Sequence, residues 1–122
     1  MKLNPDCIRE ILLAVESKTG YMNPVNAYDV VEAVHFSFGE TMYHINQCEL
    51  YGFFTEVRHY ANGDDNCTIM DLSPKGHEFI RNITDDNVWN KTKNVAKAAG
   101  SLSISFLIDV AKSVLSAKLG LQ

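Results

Sequence analysis

The stretch Leu72-Ser73-Pro74-Lys75-Gly76-His77-Glu78-Phe79-Ile80 decides how this chain folds. An apolar strand end runs directly into a helix start. Proline suits the first helical position, where its missing N–H has no intrahelical partner, and the Ser73 hydroxyl can cap the next free donors. Gly76, one turn in, costs helix stability, so its presence predicts close backbone approach by a neighbouring element. The pattern reads as a strand feeding a tightly docked helix.

Working outward, Phe53 to Tyr60 and Cys67 to Leu72 are rich in β-formers, and Ala61-Asn62-Gly63-Asp64-Asp65-Asn66 joins them. Asn-Gly is a strong turn signal, so a two-stranded hairpin is expected. Before it, Ser37-Phe38-Gly39-Glu40 has the form of a capping box. Met42, Ile45 and Cys48 then make a narrow inward stripe, and Gly52 stops the helix. Asn26 to Val34 suits a helix or a strand, with a short helix favoured. Asn4-Pro5-Asp6 opens a first helix whose Ile8, Ile11, Leu12 and Val15 recur at i, i+3, i+4 and i+7 as far as about Lys18. Gly20 ends it, and residues 21–26 form a connector. Beyond Ile80, the helix from Pro74 runs to about Ile83. Asp85-Asp86 start a fifth helix that reaches about Ala98, Gly100-Ser101 break it, and a last amphipathic helix runs to Leu119.

At 122 residues, 46% hydrophobic and 21% charged, the chain has the composition of one ordinary globular domain. No signal peptide is expected, because no apolar run follows a basic amino-terminal patch. No membrane span is expected either: the most apolar segment, Leu102 to Leu119, is interrupted by Asp109, Lys112 and four serines. Cys7, Cys48 and Cys67 are odd in number and far apart, which predicts free thiols in a reducing cytoplasm. The net charge of −4 is unevenly spread. Residues 1–73 carry four basic and eleven acidic side chains, a net −7, whereas residues 74–122 carry seven basic and four acidic, a net +3.

Three motifs together resemble a small domain-of-unknown-function family common in bacteriophages and prophages. The opening Met1-Lys2-Leu3-Asn4-Pro5-Asp6-Cys7-Ile8-Arg9-Glu10-Ile11-Leu12-Leu13 is similar to its D-x-I-R-x-I-L-L. Met42-Tyr43-His44-Ile45 with Cys48 and Gly52-Phe53 is similar to its A-Y-H-I-x-x-L…A-G-L. Leu72 to Phe79, followed by Asp85-Asp86-Asn87-Val88-Trp89-Asn90-Lys91-Thr92-Lys93, is similar to its L-T-x-x-G-H-E-F…I-R-D-D-x-V-W-x-K-x-K. Cysteine replaces leucine at Cys48, and Phe53-Phe54 is more aromatic, both conservative changes for a core. The resemblance implies a bacterial host cytoplasm and a winged helix-turn-helix fold. That fold is α+β and mostly α, with a two-stranded β-hairpin wing and additional C-terminal helices. Residues 1–84 would form the winged-helix core and 85–122 a C-terminal helical extension of the same domain. The resemblance implies no activity.

The residues themselves argue against catalysis. His35, His44, His59 and His77 do not share metal-ligand spacing with one another or with the cysteines, so no metal is expected. The pairs Asp64-Asp65 and Asp85-Asp86 fall in a turn and at a helix start, where acids are ordinary. No Gly-rich phosphate loop or nucleophile signature is present. No catalytic residue and no cofactor are expected.

A winged helix that reads DNA inserts its third helix into the major groove and sets its wing on phosphates. Placing Met42, Ile45 and Cys48 inward turns Glu40, Tyr43, His44 and Gln47 outward, a face without Lys or Arg. The wing tip carries Asp64 and Asp65, opposed only by Arg58. Cations for duplex DNA would have to come from Lys91, Lys93 and Lys97, since phosphate neutralisation supplies nearly all non-specific affinity. Such a lysine run is more often simply a solvated face. The last helix offers a wide apolar face, Ile104, Leu107, Ile108, Ala111, Val114 and Leu115, broad enough to favour a homodimer. Trp89 is expected to be a packing anchor. Two functions are expected from these features. The first is a dimeric DNA-binding regulator using Tyr43, His44, Gln47, Arg58 and the three lysines. The second is a protein-interaction module or inhibitor of a host or defence protein, using Glu40, Tyr43, Asp64 and Asp65.

Overall fold

A computed structural model describes residues 1–120; Leu121 and Gln122, the end of the expected 85–122 extension, lie outside the described residues. The described chain is mostly helical, an α+β arrangement of six helices and a small three-stranded antiparallel sheet. The helices are α1 (Pro5–Lys18), α2 (Ala27–Ala33), α3 (Phe38–Tyr51), α4 (Pro74–Ile83), α5 (Asp86–Ala98) and α6 (Ile104–Lys118). The strands are β1 (Val25–Asn26), β2 (Val57–His59) and β3 (Cys67–Ile69). None of these helices is long and apolar enough to cross a membrane.

Two compact units form, one from residues 6–77 and the other from residues 1–5 and 78 onward. The expected boundary at 84/85 assigns all of α4 to the first part, whereas compactness divides that helix at 77/78. In the first unit, Ile8, Ile11, Leu12 and Val15 of α1 are buried, as their spacing predicts, together with Val30, Ile45, Cys48, Phe53 and Ile69. Each such aliphatic side chain contributes roughly 1.5–3 kcal/mol by leaving water. Ser37 caps α3 by accepting from the Glu40 N–H at 3.2 Å, and Gly52, at φ 89°, ends it with its N–H bonded to the Cys48 and Glu49 carbonyls.

The sheet corrects the expectation of two strands. Its order is β1-β3-β2, with Val25 opposite Ile69 and Asn26 opposite Thr68 on one side of β3, and Val57 opposite Ile69 on the other. Two residues are too short to leave a period in the sequence. The buried Val25 reveals its role only through packing beside Ile69. Asn26 then turns the strand into α2, its side chain accepting from the Asp29 N–H. Regular β2 and β3 are shorter than expected, but pairing continues in the same register to a bridge between Phe54 and Leu72.

The Leu72–Ile80 stretch forms the docked helix start that its residues predict. Ser73 Oγ accepts from the Gly76 N–H at 3.1 Å and donates to the Gly52 carbonyl. A Cβ at Gly76 would overlap the Phe53 carbonyl oxygen, so the docked backbone leaves room only for hydrogen.

In the second unit, α5 packs on α6. Val88 and Trp89 of α5 and Ile104, Leu107, Val110 and Ala111 of α6 are buried. Asp85 caps α5 by accepting from the Asn87 and Val88 N–H groups and also accepts from Lys118 Nζ at 2.8 Å. One carboxylate thus pins the start of α5 to the end of α6. The hydrogen bond from Lys118, more than those from the two N–H donors, holds the Asp85 carboxyl below its ordinary range.

Candidate functional site

Between α3 and the β2–β3 hairpin lies a groove of about 300 Å³. Met42, Tyr43, Asn46 and Glu49 form the helix wall, His59 and Asp65 the hairpin wall, and buried Ile45 and Cys67 its floor. Glu49 and His59 stand ten residues apart and meet here, with His59 Nε2 2.9 Å from both carboxylate oxygens. The hairpin loop is held by its own side chains. Asn62 Oδ1 accepts from the Asp64 N–H at 3.1 Å and Asp64 Oδ1 from the Asn66 N–H at 2.8 Å.

From α2, Tyr28 fastens this loop. Its hydroxyl donates to Asp65 Oδ1 at 2.5 Å, its N–H donates to Asn66 Oδ1 at 3.1 Å, and its ring meets Phe38 edge-on at 5.5 Å. The hydrogen bond to Asp65 is the main reason the Tyr28 phenol is pushed up to about 12.

Cations near this face are already engaged. Arg58 Nε donates to Glu56 at 3.3 Å. Lys75 stands 3.8 Å from the centre of the Tyr51 ring and donates to the Tyr51 carbonyl. Residues 6–77 carry eleven acidic and four basic side chains, a net −7.

The structure brings Tyr43 and Asp65 to this groove, leaves Asp64 exposed in the loop, and sets Glu40 in the first turn of α3 and Gln47 half-buried outside the groove lining. His44 is a correction. Expected to face outward, it is fully buried, with Nδ1 2.7 Å from the Glu40 carbonyl oxygen. The inward stripe is Thr41, His44, Ile45 and Cys48, rotated from the Met42-Ile45-Cys48 reading. An imidazole nitrogen paired with its own helix backbone avoids the usual penalty for burying a polar ring. Tyr28, Glu49 and His59 were missed, because their convergence depends on how the hairpin folds over α3.

The lysines do not form one basic face. Lys91 lines a groove between α5 and α6, whereas Lys93 Nζ stands 5.6 Å over the Trp89 ring. Two residues apart on a helix is about 200°, so the pair points to opposite sides. Of the expected dimerisation face, Ile104, Leu107 and Ala111 are buried within the chain, while Ile108, Val114 and Leu115 stay half-exposed.

Burial dominates the cysteines, pushing Cys7 up to about 12, Cys67 up to about 11 and Cys48 higher still. Such thiols stay protonated at neutral pH. Among the described residues, no three His, Cys, Asp or Glu side chains are grouped so as to hold a metal ion.

No solved structure matches this chain. A Haemophilus influenzae protein described as uncharacterized is 28% identical over 120 residues, covering 95% of this chain and 97% of that protein. The family model described as "Hypothetical protein (DUF2513)" matches residues 2–102, four-fifths of the length and all three motif regions, and the chain belongs to that family.

Proposed function

We propose that this chain is a non-enzymatic protein-interaction module whose acidic face, built by α2, α3 and the hairpin, receives a partner with a basic surface. One observation carries the reading. The groove between α3 and the hairpin sets Tyr43 among Glu49 and Asp65, and the neighbouring Arg58 is already neutralised by Glu56. An aromatic ring inside an acidic rim suits an arginine or lysine side chain, which gains from both carboxylates and the ring face. Protonated, buried thiols support binding over nucleophilic chemistry. The element order α1-β1-α2-α3-β2-β3 supports a winged helix in which the hairpin is the wing. The motif resemblance supports a phage or prophage setting, with a host or defence protein as the partner.

The reading as a dimeric DNA-binding regulator keeps one observation in its favour, the net +3 of residues 78–122 together with 1–5. The two readings separate in one titration series. A labelled arginine-rich peptide and a labelled random-sequence duplex are each titrated with the protein at low and physiological salt. Under our reading the peptide binds, salt weakens it, and the duplex does not. Duplex binding that falls with salt and is lost in the Lys91→Ala, Lys93→Ala, Lys97→Ala variant would favour the regulator instead.

A further inference from the structure

The connector after α1 holds a feature that the acidic groove does not use. Gly20 and Asn23 exchange two backbone hydrogen bonds of 3.1 and 3.0 Å, closing a tight turn with Tyr21 and Met22 at its tip. Tyr21 is 95% exposed and Met22 80% exposed. Met22 also holds φ 57°, a left-handed conformation that flexible, non-glycine side chains rarely adopt. Glycine would close the same turn without that penalty. The methionine side chain therefore does something the turn does not need, and neither apolar side chain has cover among the described residues.

The second unit holds a hollow of matching character. Between α5 and α6 runs an open groove of about 540 Å³, walled chiefly by Val88, Val95, Val110, Val114 and Ala117, with Lys91 on its wall. One Tyr and one Met side chain are small enough to enter it together, and aromatic and methionine side chains are favoured anchors in such pockets. The charges also match. The turn belongs to the net −7 unit, and the hollow that includes Pro24, two residues beyond Met22, carries Asp29 and Glu32 against the single cation Lys18. The groove belongs to the net +3 unit.

From these features we propose that the chain forms a two-fold homodimer in which Tyr21 and Met22 of each copy fill the α5–α6 groove of the other. Reciprocal exchange makes the interface self-complementary and closes at two copies. Lys91 of the second copy then faces Asp29 and Glu32, so association weakens with salt. The proposal is independent of what the acidic groove binds.

Sedimentation velocity of the full chain over a concentration series tests it. The wild type should show a monomer–dimer equilibrium that stops at the dimer and shifts towards monomer in high salt. The Tyr21→Ser, Met22→Gly variant should raise the dissociation constant by at least about tenfold. Its thermal midpoint under monomeric conditions should hold or rise, because glycine takes the left-handed conformation freely. A second readout does not depend on affinity. Under oxidising conditions, Met22→Cys protein mixed with Val114→Cys protein should give a covalent heterodimer, which neither forms with itself. A wild type that stays monomeric, association that survives loss of both tip side chains, or no cross-link in the mixture would each overturn the proposal.

Discussion

Burial of α3 is decided one residue at a time. His44 sits in the core because its Nδ1 finds the Glu40 carbonyl. Thr41, one turn earlier, is equally buried, yet its Oγ1 has no hydrogen-bond partner among the described residues. A buried hydroxyl without a partner costs about 1–3 kcal/mol, whereas a methyl of the same shape costs nothing of that kind. Thr41→Val should therefore leave the fold intact and raise its stability by about 1 kcal/mol, read as a higher midpoint in urea. A fall of that size would mean the hydroxyl has a role beyond filling space. Tyr28 makes the opposite case. With Asp65 accepting from it, its neutral form is favoured, so the contact persists at and above neutral pH and is lost as pH rises through about 12. Ultraviolet titration should show the Tyr28 phenol ionising at about 12, and Asp65→Asn should bring it back towards the ordinary value of about 10.

At the scale of elements, short-range chemistry was legible and long-range convergence was not. Ser73, Pro74 and Gly76 announced the docked start of α4. Gly76→Ala should cost about 2 kcal/mol in chemical denaturation, because the clash with the Phe53 carbonyl exceeds alanine's better helix propensity. A stabilised variant would contradict that close approach. The Ser37 and Asp85 starts were equally visible, since a cap acts within three residues. Two-residue β1 was not, because its only signature is a partner more than forty residues away. The pairing of Glu49 with His59 was hidden for the same reason. Lys91 and Lys93, two apart, cannot share a helix face, a constraint already present in their spacing. The clip between α5 and α6 also belongs to this scale. Asp85 has a lowered pKa, so its contribution is present above the unfolded value of about 3.9 and is lost as pH falls through the folded one. Asp85→Asn, which keeps a cap but loses the charge, should lower the thermal midpoint at pH 7 less than Asp85→Ala does. Its deficit against wild type should vanish in strong acid.

Across the whole molecule, charge is the main functional signal. A net −7 on residues 6–77 against +3 on the rest gives the chain two units of opposite preference. The acidic one contains an aromatic groove whose nearest cations are engaged. Net charge alone steers any basic molecule, but Asp64 and Asp65 at the loop put that attraction at one place. The most direct measurement compares wild type with the isosteric Asp64→Asn, Asp65→Asn variant in fluorescence anisotropy, using one labelled arginine-rich peptide at physiological salt. The substitution takes residues 6–77 from −7 to −5, so the Glu10→Gln, Glu16→Gln variant, which removes the same charge from α1, is the control for the global field. A loss of affinity of about tenfold in the loop variant alone localises binding to this face. Equal affinity for wild type and loop variant, or tighter binding by the loop variant, would contradict the account.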